Sequence, residues 1–361
     1  MLPAPSRPHL FGLVPEDLLA HLAASGVETN LVECRRLLAR ALAPRGTKHN
    51  DRRNPLSKRL VAAVEALCDR APLEIVERVT DPGDRFVKYL LRSPDGAMHE
   101  AVRIPLHKEN AFSVCLSSQV GCAMGCTFCA TGRLGLTRHL AAWEMVAAFC
   151  AVRDEAPGRA TGAVFQGQGE PLHNYDQVIQ AARVLSHPCG ARISGPNITI
   201  STVGLVPQIR RYAREGHRYR LIISLTSAVA EKRKSLLPVA GNFSLDEVAQ
   251  AIREYAAVAR GRVTVAWVLM SGVNTGADEV ESLVKLLDGV PLRLNLIDVN
   301  DAREDGFRQA SDAERKSFIE QLQVLRAPIV RRYSGGASRH AACGMLAATR
   351  FSSEEPSSPS S

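Results

Sequence analysis

The first part of the chain has apolar residues at the spacing of an α-helix. Apolar residues recur at helical spacing in residues 15–22 and again in residues 60–67, which predicts two amphipathic helices. We therefore expect a small helical accessory domain over residues 1–75.

Strand patterns and then alternating strand and helix patterns follow. Three short runs bounded by turn sequences predict a small β extension over residues 76–110. Farther on, apolar β-branched runs alternate with helix-period segments, which predicts parallel strands joined by crossover helices. Counting the strand that leads into Cys115, there are about six such units, too few for a closed eightfold barrel. The early runs cover residues 73–79, 86–91 and 101–104, the later runs 163–165, 198–201, 221–225, 263–269 and 292–299, and the helical segments 175–185, 206–214, 245–258, 278–287 and 312–325.

The predicted fold class is therefore α/β: a partial (β/α)6 TIM-like barrel behind an N-terminal helical domain. Its core is expected over residues 111–348, and the Ser- and Pro-rich residues 349–361 are expected to be a disordered tail. With 45% hydrophobic and 23% charged residues, the composition is that of a globular protein, which excludes collagen-like, coiled-coil and mostly disordered chains.

Membrane insertion and export are not expected. The longest apolar stretch, residues 140–152, is interrupted by Glu144, and spanning a bilayer takes roughly 18 apolar residues. Prolines and acids interrupt the first residues of the chain, where a signal peptide needs an unbroken apolar segment. We expect a cytoplasmic protein without a membrane partner.

Positive charge points to an anionic partner. Lysine and arginine number 45 against 37 acids. Residues 35–59 hold nine of these cations against the single acid Asp51. The segment is either a solvated helix face or a surface that binds RNA phosphates, because clustered cations gain affinity by releasing condensed counterions.

Cysteine spacing raises the question of metal chemistry. The nine cysteines are an odd number in a chain too long to need disulfide staples. Cys122, Cys126 and Cys129 lie on one short loop after a predicted strand, where thiolates could hold an iron–sulfur cluster. Zinc and a chance grouping remain alternatives, although a structural zinc site normally needs a fourth ligand. Four other cysteines are expected to be structural: Cys34, Cys68, Cys150 and Cys189.

The C-x3-C-x2-C spacing, with Phe128 before the last cysteine, resembles the signature of the radical S-adenosylmethionine (SAM) superfamily. In that superfamily three thiolates hold one [4Fe–4S] cluster and leave one iron open to bind SAM. Further motifs resemble the radical adenosine methyltransferases of ribosomal RNA, which comprise C2-methylating enzymes and their C8-methylating, antibiotic-resistance relatives. These motifs are residues 115–122 (CLSSQVGC), 129–132 (CATG), 169–174 (GEPLHN), 200–204 (ISTVG), 223–225 (ISL) and 341–344 (AACG).

The resemblance covers residues 100–347 and implies a radical SAM barrel. It also implies an RNA substrate, ribosomal and possibly transfer RNA, and an electron donor such as a flavodoxin. The ring carbons C2 and C8 of adenine are electron-poor, so a sulfonium methyl has no polar route to them. In the implied mechanism SAM first methylates a cysteine, and a 5′-deoxyadenosyl radical then takes a hydrogen from that methyl group. The carbon radical adds to the ring.

Three residues take the catalytic roles that the resemblance implies. Cys343 would carry the methyl group, Glu100 would remove the ring proton, and Cys115 would release the product by forming a disulfide with Cys343. Taken alone, Cys343 could be a small buried hydrophobe, Cys115 a core residue at a strand end, and Glu100 an exposed strand acid.

Seven residues would bind the cofactor by the same resemblance. Glu170 would accept from the ammonium of its methionine moiety, and Gly169 would allow close backbone approach. The others follow the ends of predicted strands, where barrel sites are built, and each alone could simply cap a strand: Ser201, Ser224, Leu225, Thr226 and Asn300.

Departures from the family pattern leave alternatives open. Gln166 and Gln168 replace usual methionines, Thr226 replaces a usual histidine, and residues 335–340 replace an acidic segment. One alternative is therefore a radical SAM enzyme that acts on a substrate other than RNA. Another is a non-catalytic nucleic-acid-binding protein with a structural metal, although such a protein has no use for a base and two extra thiols.

Overall fold

The sheet of this computed structural model begins with antiparallel strands. The structure describes residues 7–49, 55–80, 83, 85–259, 261–301, 303, 305–332 and 342–347. The first four strands pair in sequence order, each antiparallel to the next. They are β1 (Glu74–Thr80), β2 (Val87–Arg92), β3 (Met98–Pro105) and β4 (Ala111–Leu116). A separate two-stranded hairpin follows, made of β5 (Gln119–Cys122) and β6 (Gly135–His139).

Parallel strands continue the same sheet from β4 onward. The order is that of the sequence, and within the described residues β12 does not pair back to β1, so the sheet they form is open. Near-continuous Val, Ile and Leu runs suit these strands because helices cover a parallel sheet. The strands are β7 (Arg159–Phe165), β8 (Ile198–Thr202), β9 (Arg220–Ser224), β10 (Val263–Leu269), β11 (Leu292–Asp298) and β12 (Ile329–Arg332).

Crossover helices connect the parallel strands. Side chains cap several of them: Ser244 Oγ accepts from the Glu247 N–H at 3.2 Å, and the Glu247 carboxylate accepts from the Ser244 N–H at 2.8 Å. This reciprocal pair satisfies two donors that would otherwise lack partners at the helix start. The helices are α4 (Ala142–Glu155), α5 (Tyr175–Ser186), α6 (Val206–Glu215), α7 (Ala230–Leu236), α8 (Leu245–Val258), α9 (Ala277–Leu286) and α10 (Asp312–Leu322).

The three N-terminal helices have a hydrophobic cluster of their own, built from residues such as Leu18, Leu22 and Leu38. Arg153 in α4 donates to the Leu42 carbonyl at 2.7 Å, and Gln180 in α5 donates to the Gly12 carbonyl at 2.8 Å. These contacts fix the helices to the barrel. They are α1 (Pro15–Ala24), α2 (Leu31–Ala41) and α3 (Lys58–Leu67).

The predicted fold class is confirmed, with differences in detail. The alternating pattern located β7 to β11 and their helices within a few residues. It missed α2, α7, the β5–β6 hairpin, β12 and α4. Helix α4 is buried over most of its surface, so its sequence shows no polar face and little helical period. The domain limits stay predictions, and the tail after residue 347 and residues 335–340 lie outside the described residues. No helix in the described ranges has the length and apolarity needed to cross a bilayer.

A buried carboxylate joins the β extension to the barrel. Glu144, at the start of α4, is 2% exposed. Its two oxygens accept from the Arg138 guanidinium at 2.9 Å each, and it also accepts from the Ser93 hydroxyl and the Ala141 N–H. Burial opposes its ionisation, but the hydrogen bonds from Arg138 and Ser93 outweigh burial and lower the pKa of Glu144.

We predict that Glu144→Gln lowers the free energy of unfolding by about 2 kcal/mol at neutral pH, because Arg138 would lose a charged partner. A lowered pKa means that the stabilisation is present above about pH 4.5 and is lost as the pH falls through the folded-state value. The difference in the free energy of unfolding between the variant and the unmodified protein, measured by denaturant titrations, should therefore decrease in acid.

Glu254→Gln is the matched control, because Glu254 pairs with Arg210 at 3.0 Å on the surface, with 38% of each side chain exposed. Exposed pairs contribute less than about 1 kcal/mol. Equal decreases in the free energy of unfolding of the two variants would contradict the conclusion that the buried carboxylate of Glu144 joins the β extension to the barrel.

Candidate active site

The carboxyl ends of the parallel strands meet at one edge of the sheet and form a cavity. Ten of the thirteen predicted site residues line it. Three predicted site residues are absent from the cavity wall that the described residues form. Leu225 is fully buried in the core, and Glu100 and Cys115 are buried in strands β3 and β4. The ten are Cys122, Cys126, Cys129, Gly169, Glu170, Ser201, Ser224, Thr226, Asn300 and Cys343.

A tight loop holds the three clustered cysteines. It begins where β5 ends at Cys122 and turns back at Cys126, whose carbonyl accepts from the Cys129 N–H at 3.1 Å. Gly132 packs against this turn so closely that a Cβ atom there would lie 2.9 Å from the Cys126 nitrogen. Helix α7 supports the loop from outside, because the Leu236 carbonyl accepts from the Thr127 N–H at 3.0 Å. The backbone thus fixes where the thiols lie.

The three thiols resist ionisation as they stand. Burial raises the pKa of Cys122 to about 11 and raises the pKa values of Cys126 and Cys129 as well. Cys126 is also affected by the charges of the two other thiolates, so the three groups are neighbours. A cation in the cavity would relieve both effects, since metal binding requires and stabilises thiolates.

The donor set of the cavity suits an iron–sulfur cluster. Cysteine thiolates are the ligands by which proteins hold such clusters. Cys122, Cys126 and Cys129 lie on one short loop and line one cavity. The residues present therefore fit a [4Fe–4S] cluster.

Arg233 in α7 is a buried cation near Cys126, which lines the cavity. It is 2% exposed and donates to the carbonyls of Val203 at 2.6 Å and Leu225 at 3.2 Å. Its Nε has no hydrogen-bond partner among the described residues. Burial lowers the pKa of Arg233 to about 10, whereas the charge of the Cys126 thiolate raises it. Thiolates bound to a cluster would supply the counter-charge that this guanidinium needs.

Glu170 lies in the segment that follows β7, and its carboxylate connects this segment to the end of β8. One carboxylate oxygen accepts from the Leu172 N–H and the other from the Val203 N–H after β8, both at 2.9 Å. Burial raises the pKa of Glu170 to about 7, against these hydrogen bonds. An ionised carboxylate has about four lone-pair sites, so the group retains capacity for an ammonium donor. Gly169 precedes it at φ +95°, where a Cβ atom would lie 2.5 Å from Gln119.

Thr226 is strained and has an unused hydroxyl. Its φ is +63°, a conformation that is a genuine outlier for a β-branched residue and costs on the order of 1–3 kcal/mol. The buried Oγ1 has no hydrogen-bond partner among the described residues and faces the cavity. Beside it, Ser201 Oγ and Ser224 Oγ lie 3.2 Å apart. A polar ligand in the cavity would satisfy these hydroxyls.

The segment that carries Cys343 is attached to the cysteine loop. The Ala130 N–H donates to the Gly344 carbonyl at 2.7 Å, and the Thr131 hydroxyl donates to the Leu346 carbonyl at 2.6 Å. Asn300, after β11, donates to the Cys343 carbonyl at 3.4 Å. Cys343 itself is exposed, which excludes the interpretation of a buried hydrophobe. Cys343 and the three clustered thiols therefore line the same cavity.

Cys115 and Cys343 are neighbours although 228 positions separate them in the sequence. Cys115 lies in β4 and is buried in a small apolar cluster that also contains Leu346. Burial raises the pKa of Cys115 to about 12, and the charge of the Cys343 thiolate contributes to the increase.

Glu100 faces the same side of the sheet as Cys115. In the antiparallel register Val102 lies opposite Cys115 and Lys88, and Glu100 is two positions from Val102, so the side chains share a face. Glu100 is fully buried, which corrects the alternative of an exposed strand acid. Its carboxylate forms an ion pair of 3.1 Å with the buried ammonium of Lys88.

Side chains replace the missing strand partner of Glu100. Strand β4 ends one residue earlier in the register, at Leu116 opposite Ala101. The Ser117 hydroxyl then donates to the Glu100 carbonyl at 2.6 Å, and Gln168 Oε1 accepts from the Glu100 N–H at 3.2 Å. Gln168, one of the departures from the family pattern, thus links the backbone of Glu100 to the segment that follows β7.

Comparisons with known proteins agree with this geometry. The model of the radical SAM superfamily matches residues 116–287. A probable RNA methyltransferase of Anaeromyxobacter sp. (strain Fw109-5) is 48% identical over 340 residues, which cover 94% of this chain and 98% of the relative. The chain belongs to the radical SAM RNA methyltransferase family. Another relative in this family, a dual-specificity RNA methyltransferase RlmN of Syntrophobacter fumaroxidans, is 38% identical over 87% of this chain and 91% of its own length.

A solved structure extends the family resemblance to the whole fold. The crystal structure of a radical SAM methyltransferase from Sphaerobacter thermophilus has a TM-score of 0.83 and 36% identity, and the match covers 95% of this chain and 100% of that one. Family membership implies SAM and a [4Fe–4S] cluster as cofactors.

Sequence reasoning missed two buried cations, Lys88 and Arg233. The available signal for Lys88 was its place inside an apolar strand (VKYLL). Arg233 lies among exposed charges (EKRK), so its sequence context offered no such signal.

We predict that replacing Cys122, Cys126 or Cys129 by Ala abolishes the cluster in anaerobically reconstituted protein, because each would remove one of three thiolate ligands. Iron and sulfide analysis and visible absorbance measure the loss. The matched control is Cys150→Ala, a buried cysteine in α4 outside the cavity, which should keep the cluster. Stoichiometric zinc without iron in the unmodified protein would contradict the assignment.

Proposed function

We propose that this protein methylates a ring carbon, C2 or C8, of an adenosine in RNA, and that the methyl group passes through Cys343. The substrate that we favour is large-subunit ribosomal RNA, with transfer RNA as a second substrate, in the cytoplasm. The names of the relatives as RNA methyltransferases support the substrate class. The observation that carries the proposal is the meeting of Cys343 and Cys115 beside the three clustered thiols.

Transfer through a cysteine requires two cysteines close together at the active site. Cys343 is exposed to the cavity and can accept a methyl group on sulfur, whereas Cys115 is buried behind it. When the methylene carbon has bonded to the ring and the ring proton has left, attack of the Cys115 sulfur on the Cys343 sulfur forms a disulfide and breaks the bond between sulfur and carbon. The electron pair of that bond stays with the carbon, which takes up a proton and becomes the methyl group. A reductant must then regenerate both thiols. A direct polar transfer would need neither residue.

Glu100 supplies the base for the ring proton. The Lys88 ammonium, 3.1 Å away, stabilises the carboxylate in the charged form that can accept a proton. Ser117 and Gln168 hold its backbone, so Glu100 is positioned by side chains as well as by the sheet. When bound, the cluster and SAM would supply the radical chemistry, and a donor such as a flavodoxin would supply the electron that starts it.

The experiment that tests the function is mass spectrometry of nucleosides from ribosomal and transfer RNA, isolated from cells with and without the gene. A 2-methyladenosine or 8-methyladenosine that disappears with the gene and returns with the unmodified protein, but not with Cys343→Ala, supports the proposal. Unchanged RNA in both strains would overturn it and would favour the alternative of a radical SAM enzyme with another substrate.

We predict that Cys115→Ala accumulates RNA covalently bound to the enzyme, because nothing then breaks the bond between Cys343 and the nucleotide. The adduct should appear as a nuclease-sensitive shift on a denaturing gel, and Cys343→Ala should not form it. Cys189→Ala, at a partly exposed cysteine away from the cavity, serves as the control and should turn over normally. Normal turnover of Cys115→Ala would remove Cys115 from the mechanism.

A further inference from the structure

Two clefts at the opposite end of the barrel from the active site form one continuous groove. The first has a volume of about 1000 Å³ and lies between the end of α2 and the start of β7. The second, of about 980 Å³, continues past the end of α5 to the start of β9. Arg192, Ile193 and Ser194 line both clefts. We call the two clefts together the basal groove.

The basal groove is far from the cavity. Arg159 is the first residue of β7, and Tyr219 immediately precedes β9, so these lining residues mark the amino ends of the parallel strands. The cavity lies at their carboxyl ends. Seven residues of β7 at roughly 3.3 Å each separate the two sites by about 20 Å. Nothing that binds in the basal groove can therefore be the reacting base itself.

Arginines dominate the basal groove. Eight of them line the two clefts, against two acids, Asp154 and Glu16. Both acids already have partners, because Asp154 pairs with Arg153 at 2.8 Å and Glu16 lies 3.5 Å from Arg35. The groove therefore keeps a large excess of positive charge, which would repel itself without an anionic ligand.

Several of these guanidinium groups are available. Arg36, Arg45, Arg159 and Arg218 are exposed, and the described residues place no carboxylate within ion-pair distance of them. Such groups can each contact a phosphate oxygen, bidentately where geometry allows. They come from three segments that are distant in sequence but converge on one channel.

We propose that the basal groove binds the phosphodiester backbone of the substrate RNA at a place remote from the methylated nucleotide. The proposal rests on the proposed function, which makes RNA the substrate. An open channel of two connected clefts fits a run of phosphates better than one small anion, and counterion release provides its affinity. Three arginines of the segment 35–59, Arg36, Arg40 and Arg45, line the first cleft, which joins the accessory helices to the barrel in one RNA-binding surface.

The test is the double variant Arg159→Glu/Arg218→Glu, whose positions lie on the barrel side of the groove. We expect weaker binding to an unmodified large-subunit ribosomal RNA transcript. The slope of log affinity against log salt should fall by about two, roughly one for each phosphate that the variant no longer neutralises. Methylation of a short hairpin that presents only the target adenosine should be unchanged, because it cannot span about 20 Å to the groove.

The matched control is Arg293→Glu, an exposed arginine in β11, near the same end of the barrel but outside both clefts. Equal affinity and equal salt slope for the double variant and this control would overturn the proposal. Thermal denaturation confirms that each variant is folded. If the unmodified protein methylates RNA while the double variant binds it normally, the groove proposal alone fails. Absence of RNA methylation by the unmodified protein is instead a failure of the proposed function.

Discussion

Burial opposes the ionisation of the three cysteine thiols at the carboxyl edge of the parallel sheet. Burial and the charges of the neighbouring thiolates raise the pKa of Cys126 well above its usual value. Nearby Arg233 is itself a buried guanidinium without a carboxylate partner among the described residues. A [4Fe–4S] cluster would answer both conditions, because iron would stabilise the thiolates and the thiolates would balance the arginine.

The cysteine loop also affects the position of the residues that are expected to act on the substrate. The loop that carries the cluster thiols also donates hydrogen bonds to Gly344 and Leu346, so the position of Cys343 depends on the position of that loop. Cys115 and Glu100 approach from the antiparallel side of the sheet, through β4 and β3. Strand β4 is the element at which the sheet changes from antiparallel to parallel pairing. It thereby joins the proposed base and the proposed resolving thiol to the barrel.

Local sequence patterns predicted those parts of the fold that depend on local periodicity. The strands β7 to β11 and most of the helices between β7 and α10 were located because their apolar residues repeat with period 2 or 3.6 or form short β-branched runs. The spacing of Cys122, Cys126 and Cys129 predicted one short loop, and in the structure that loop lines the cavity. Helix α4 was missed because burial on most sides removes the periodic signal. The ion pair of Lys88 with Glu100, the burial of Arg233 and the basal groove depend on contacts between distant segments, which no local pattern contains.

If the methyl group rests on Cys343 before it reaches RNA, the isotopic composition of the methylated RNA must record the hydrogen that the cysteine-bound methyl group loses. With SAM that carries a trideuterated methyl group, one deuterium should pass to 5′-deoxyadenosine when the hydrogen is removed from the methylated cysteine. Over several turnovers the methyl group on adenosine should then contain two deuterium atoms and one hydrogen. Retention of all three deuterium atoms in the product methyl group would instead mean direct transfer from SAM to the ring, without Cys343.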